Sequence, residues 1–270
     1  MKIKFYIVTY NREKELNETL RSLFNTDYSN YEVQFFIVNN HTSIKFNDEY
    51  ADKVTVLENV FRPDNSTGHL SRNYNEIILH GIKDVTDSDC DILIHSHDDN
   101  LFKENFFSEI IKNHEQFDFI TFSQGCGLCS YLPSAIDRIG LWDERFCTIG
   151  YHEGDYFLRA LITDPTNKKT SINDPNQGRE YNALPPICIK QPGTHQNAAH
   201  TASFTNYSVC RQLWQIKWPT CRDGGWDINN LPPNTNLKRF MLYPYFEKKL
   251  SNLPEKYFNE IDAHGHPFLQ

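Results

Sequence analysis

Apolar residues fall in short blocks along the chain, and the blocks alternate between two spacings. Residues 3–9 (IKFYIVT) and 32–38 (EVQFFIV) are nearly continuous apolar runs rich in β-branched and aromatic side chains, the pattern of strands buried on both faces. Between them, Asn11 opens a stretch reaching about residue 25 in which Leu16, Leu20, Leu23 and Phe24 recur on one helical face. A weaker strand is expected at 53–57, and an amphipathic helix at 70–82 with Leu70, Tyr74, Ile77 and Ile78 at helical spacing. A fourth strand, 91–95 (DILIH), runs into SHDDN; a helix near 103–113 and a strand near 117–122 follow. Strands alternating with helices predict an α/β fold: a Rossmann-like, mostly parallel central sheet with helices on both faces. Ligands of such sheets bind beyond the carboxyl ends of the strands. That rule selects Thr9–Arg12, Asn39–His41 and Ser96–Asn100, and all three are polar.

Farther along, periodicity fades. Residues 163–185 are rich in Asn, Asp and Pro and read as a long loop, of the kind that is often functional. Helical spacing returns at 203–218, and a Pro- and Asn-rich linker then leads to an aromatic, charged tail at 238–258. The expected division is a main α/β domain over 1–220, with halves at about 1–100 and 101–220, and a C-terminal helical extension at 221–270.

Composition narrows the function classes. A formal charge of −8 argues against a general polyanion binder, and the modest basic cluster Lys238, Arg239, Lys248 and Lys249 also suits a solvated helix face. No run approaches the roughly 20 apolar residues of a membrane span, and the first residues (MKIKFYIVTYNRE) do not read as a signal peptide. The seven cysteines are scattered, as expected of reduced thiols in a cytoplasmic protein. Cys126 and Cys129 form one CxxC without a second pair at zinc-binding spacing, so two small core residues are the better reading.

Two acidic groups carry candidate chemistry. Asp98 and Asp99 follow a predicted strand, flanked by His97 and Asn100. Alone they are equally a solvated turn; at the binding edge of a parallel sheet they suit a hard divalent cation such as Mn²⁺ or Mg²⁺. Glu153 and Asp155 open a predicted helix (YFLRAL), where acids are favoured by the helix dipole. Their functional reading is a general base that takes a proton from a hydroxyl.

Several fragments in order carry a family resemblance. IVTYNREKELNETLRSLF, FFIVNN, STGHLSRNYNEII, ILIHSHDDN, and then LWDERF with GYHEGDYFLRA resemble glycosyltransferase family 2, the large inverting group with the GT-A fold. The match covers about residues 3–163 and thins to KWP at 217–219. The resemblance implies transfer of a sugar from a nucleoside diphosphate, UDP favoured, to a hydroxyl acceptor such as a glycan, with Mn²⁺ or Mg²⁺ as cofactor; a nucleic-acid acceptor is disfavoured. It places Thr9, Asn11, Arg12, Asn39, Asn40, Gly68, Arg72, Asn73 and Asp98 around the nucleotide sugar, and Asp99, beside Asp98, on the metal. The family's late metal-binding histidine corresponds to His195 or His200. Its E-D-x-D motif reads His152-Glu153-Gly154-Asp155 here, which leaves either Glu153 or Asp155 as the base. Its DXD motif is compressed to His-Asp-Asp-Asn at 97–100.

Two other readings compete. A nucleotidyltransferase would carry a Gly-rich phosphate loop after the first strand, and TYNREKE has no glycine. A binding module without activity would suit the altered E-D-x-D, but acids remain at both positions.

Overall fold

A computed structural model of the chain describes all residues except 41–43, 59–69, 123–124, 147–149, 165, 167, 193–199 and 234–270, with the backbone alone for 200–207. The described residues of the chain group into two compact units, each assembled from separate segments: 1–65, 90–132 and 171–198 in the first, and 66–89, 133–170 and 199–270 in the second. No helix among the described residues is long and apolar enough to cross a membrane.

The first unit is built on an eight-stranded sheet of order β3-β2-β1-β4-β7-β6-β8-β9. Its strands are β1 (Lys2–Thr9), β2 (Glu32–Asn39), β3 (Val54–Glu58), β4 (Ile92–His97), β6 (Phe119–Thr121), β7 (Leu128–Tyr131), β8 (Thr170–Asp174) and β9 (Arg179–Tyr181). The first four are parallel, as the apolar runs predict. Beyond β4 the sheet continues through antiparallel pairings of β7 with β4 and β6, and of β8 with β9. A separate two-stranded ribbon pairs β5 (Asn100–Phe102) with β10 (Cys188–Lys190).

Alternation along β1 sends Ile3, Phe5 and Ile7 into one buried cluster with Phe35 and Ile37 of β2 and Ile92 and Ile94 of β4. Helix α1 (Glu13–Phe24) lays Leu16, Leu20 and Leu23 onto this cluster, and α3 (Phe106–His114) lays Phe106, Phe107 and Ile110. Phe5 sits at the centre, meeting Phe102 and Phe106 edge to face with ring centroids 5.5 and 5.9 Å apart. Asn11, at φ 47°, turns the chain between β1 and α1; asparagine is among the few residues that adopt the left-handed region readily.

The register then sets the functional edge. Thr9 of β1 pairs with Asn39 of β2, and Val8 pairs with His97 of β4. The carboxyl ends of three parallel strands therefore finish level, with Thr9–Arg12, Asn39–Asn40 and Asp98–Asn100 side by side.

The second unit holds α2 (Leu70–Ile82), α4 (Pro133–Ile139), α5 (Tyr151–Ile162) and α6 (His200–Lys217). The stretch 163–185 is not a featureless loop: β8 and β9 form an antiparallel hairpin within it. The turn is a single 3₁₀ segment, Pro175–Gln177, ended by Gly178 at φ 62°. Strands of five and three residues (TSIND and REY) are too short and polar to show a period in sequence.

Candidate active site

The hydroxyl of Thr9 donates to Asp98 Oδ2 at 2.7 Å, and Arg12 Nη1 donates to Asp98 Oδ1 at 3.2 Å. The same Arg12 nitrogen lies 3.8 Å from Asp99 Oδ2. One cationic nitrogen thus reaches both carboxylates, so a single cation can serve the pair. Thr19 of α1 secures the backbone beneath: its hydroxyl lies 2.8 Å from the Asp98 carbonyl and 3.0 Å from the Asn100 carbonyl. Asn100 is buried and donates to Ser96 Oγ at 2.8 Å and to the Gly127 carbonyl at 2.6 Å. The acid pair therefore sits on a fixed backbone rather than in a solvated turn.

The β5–β10 ribbon closes the site from the other side. Its register sets Lys190 opposite Asn100, and the ammonium of Lys190 forms an ion pair with Asp99 Oδ1. The next residue, Gln191, donates its backbone N–H to the Asp99 carbonyl at 2.8 Å and its side-chain amide to the Glu15 carbonyl at 2.9 Å.

The two carboxyls differ in proton affinity. Burial raises Asp98 to about 6, against the opposing pull of Arg12 and the Thr9 hydroxyl. Burial also pushes Asp99 up, but the charges of Lys190, His97 and Arg12 outweigh it and hold Asp99 at about 2.

Beside the pair, Thr9, Asn11, Arg12, Glu13, Leu16, Ile44 and Lys45 line a cavity of about 120 Å³. Arg12 Nη2 is buried, lies 3.8 Å from Glu15 Oε1 and makes no hydrogen bond among the described residues, so its donor capacity is not used up. Asn39 donates to Glu58 Oε2 at 2.8 Å, and Asn40 donates its backbone N–H to the Thr9 carbonyl at 3.1 Å. Two hard, anionic oxygen donors side by side next to an anion-seeking guanidinium fit a divalent cation such as Mn²⁺ or Mg²⁺ with a phosphate ligand.

In the second unit, Glu153 and Asp155 have different surroundings. Glu153 stands in the first turn of α5, and its Oε2 accepts from the Gly150 backbone N–H at 3.2 Å. Asp155 is fully buried with both oxygens engaged: Oδ1 accepts from Trp218 Nε1 at 2.8 Å and lies 2.6 Å from Lys217 Nζ, while Oδ2 accepts from Arg159 Nε at 2.9 Å. Lys217 also donates to Asp143 Oδ2 at 2.8 Å, and Arg145 grips Asp143 at 2.7 and 2.5 Å. Burial opposes ionisation of Asp143, but Arg145 and Lys217 overcome it and hold its carboxyl far below the usual range. Gly154 explains the altered motif between these acids: a Cβ there would lie 2.7 Å from the Gly224 carbonyl and 3.1 Å from the Trp214 ring.

No protein-family model matches the sequence, and no curated protein sequence matches it. Solved structures do resemble the chain. The mannosyltransferase PcManGT from Pyrobaculum calidifontis, in complex with GDP-Man and Mn²⁺, superposes with a TM-score of 0.53 at 11% identity, over 98% of this chain and 76% of that one. Residues 1–349 of S. aureus TarS, in complex with UDP-GlcNAc, superpose with a TM-score of 0.52 at 12% identity, over 97% of this chain and 73% of that one. The chain spans only 36% of a longer TarS structure, at a TM-score of 0.44 and 14% identity. The fold is that of a glycosyltransferase.

Within this glycosyltransferase fold, Thr9, Asn11, Arg12, Asn39, Asn40, Asp98 and Asp99 gather at one strand edge of the first unit. Arg72 and Asn73 lie on α2 in the second unit, where Arg72 Nε is 3.8 Å from Glu144 Oε2 and Asn73 is buried. Gly68 and His195 lie outside the described residues, and His200 is described only as the first backbone position of α6. Cys126 and Cys129 are buried free thiols. The tail beyond 233, with its basic cluster, also lies outside the described residues.

Three groups that shape the site carried no sequence signal. Lys190 and Gln191 lie about 90 residues from the acids in a segment without periodicity, and Thr19 reads as one polar position on a helix. Asn75 is a fourth omission, in the second unit: its amide accepts from Trp142 N at 2.7 Å and donates to the Trp142 carbonyl and to Glu144 Oε1, both at 2.9 Å, fixing the LWDE turn.

Proposed function

We propose that the chain transfers a sugar from a nucleoside diphosphate, a UDP-sugar in the first instance, to an acceptor hydroxyl on a glycan, with inversion at the anomeric carbon. The observation that carries this reading is the pair Asp98–Asp99, buried at the carboxyl end of β4 and joined to the end of β1 through Thr9 and Arg12.

Asp99 and Asp98 would hold a divalent cation, which when bound supplies positive charge to the diphosphate leaving group. Arg12, with one nitrogen on the acids and the other buried beside the cavity, binds the same diphosphate from the protein side. Asn39 and Asn40, at the neighbouring strand end, orient the nucleoside. Glu153 takes the proton of the acceptor hydroxyl. Asp155 is the poorer candidate, because both of its oxygens are committed to Trp218, Lys217 and Arg159 inside the second unit.

The test is release of nucleoside diphosphate from a panel of UDP-, GDP- and dTDP-linked sugars, each with Mn²⁺ and with EDTA. Release from one donor, abolished by EDTA and by Asp99→Asn, is the expected result. Silence across the panel combined with a donor-induced rise in melting temperature would instead assign a nucleotide-sugar-binding module. Silence with no thermal shift would remove the donor site altogether.

A further inference from the structure

The acid pair already has a full set of counter-charges. Asp98 and Asp99 carry two negative charges, and Arg12 and Lys190 place two positive charges against them. Lys190 is not an incidental surface lysine. Its side chain is only 11% exposed, and pairing of β10 with β5 on one side and the Gln191–Asp99 backbone bond on the other hold it over the Asp99 carboxylate.

A divalent cation arriving alone would add two positive charges beside Arg12 and Lys190 and would have to compete with an ammonium for Asp99 Oδ1. A divalent cation arriving with a nucleoside-diphosphate sugar, which carries two negative charges, would add no net charge to the cluster. It would also offer the displaced ammonium an anionic partner, since phosphate oxygens accept from lysine as readily as a carboxylate does.

We propose that Lys190 is the resident counter-ion of the acid pair, exchanged from Asp99 to the diphosphate of the donor when a divalent cation enters. The inference rests on the donor-site reading above and adds an order to it: metal and nucleotide bind as a unit, and Lys190 enforces their coupling. It is a positioning residue, acting through the Asp99 carboxylate and the leaving group's charge. The exchange makes and breaks no covalent bond.

The test uses the full chain and Mn²⁺ as the metal, with bound Mn²⁺ followed by loss of the free-ion paramagnetic resonance signal. Wild-type protein is expected to bind Mn²⁺ weakly alone and at least tenfold more tightly when UDP or GDP is present. Lys190→Met, which keeps the length of the side chain and removes its charge, should bind Mn²⁺ alone at least tenfold more tightly than wild type. It should also bind the nucleoside diphosphate more weakly in the presence of Mn²⁺. Lys190→Arg should retain the wild-type coupling. A merely structural role predicts the opposite for Lys190→Met, since a damaged site loses metal affinity. Equal or weaker Mn²⁺ binding by a folded Lys190→Met protein, judged by its melting temperature and circular dichroism, would overturn the exchange while leaving the metal site in place. An absence of Mn²⁺ binding by wild type and both variants, with and without nucleotide, would overturn the metal reading itself and the role of Lys190 with it.

Discussion

At Gly154 the space for a side chain is already taken: the Gly224 carbonyl and the Trp214 ring occupy it. Gly154→Ala should therefore lower stability by about 1–3 kcal/mol, read as a shift in the urea midpoint. The acids on either side separate catalysis from structure. Asp155→Asn leaves Lys217 and Arg159 buried with less compensation and should cost about 3–5 kcal/mol. Glu153→Gln removes a helix-terminus charge and keeps an oxygen acceptor for the Gly150 N–H, so its midpoint should move by no more than about 1 kcal/mol. Turnover should nevertheless fall roughly 10²–10⁴-fold if Glu153 is the base. The converse pattern, with activity retained in Glu153→Gln, would reject the assignment. His114 adds a pH dependence. Its Nδ1–H donates to the Phe117 carbonyl at 2.8 Å, and Nε2 accepts from the Ser130 hydroxyl at 2.6 Å. Burial holds the ring neutral in the folded protein, with its pKa lowered from 6.5 to about 4. Between these values the unfolded chain takes up a proton that the folded chain does not. The stability contributed by neutral His114 is thus fully present above pH 6.5 and is lost as the pH falls toward 4. Unfolding midpoints measured across that range should fall less steeply for His114→Gln than for wild type.

Among the elements, those buried on two faces were readable and those defined by a partner were not. β1, β2, β4, α1 and α2 announce themselves because continuous apolar runs and 3.6-residue stripes leave few alternatives. Thr9, Arg12, Asn39, Asp98 and Asp99 were readable for the same reason, since each sits where such a run stops. The hairpin β8–β9 and the ribbon β5–β10 contain strands of three to five residues, too short to show a period, and β5 pairs with chain far along the sequence. Lys190 was invisible on that account. Packing of the readable elements converges on Phe5, so Phe5→Ala should cost about 3–5 kcal/mol in chemical unfolding. A loss below about 1 kcal/mol would mean that α1 and α3 do not close over the sheet as described.

For the whole molecule, the α/β class and the strand-edge rule pointed to the first unit's candidate site before any contact was known. The assembly of each unit from separate segments was not legible, because sequence pattern reports local period and not spatial grouping. The chain leaves one unit for the other after residues 65, 89, 132, 170 and 198. This interleaving bears on synthesis. The last segment of the first unit, with Lys190, ends at 198, and Lys217, the shared cation of Asp143 and Asp155, comes later still. At about 5–20 residues per second, a ribosome takes roughly 10–40 s to pass from residue 1 to residue 217. Neither unit can finish folding until those segments have emerged, so a nascent chain stalled near residue 150 should be cut freely by protease where the released protein resists. The two units are committed together, and no fragment that stops short of residue 198 holds either of them whole.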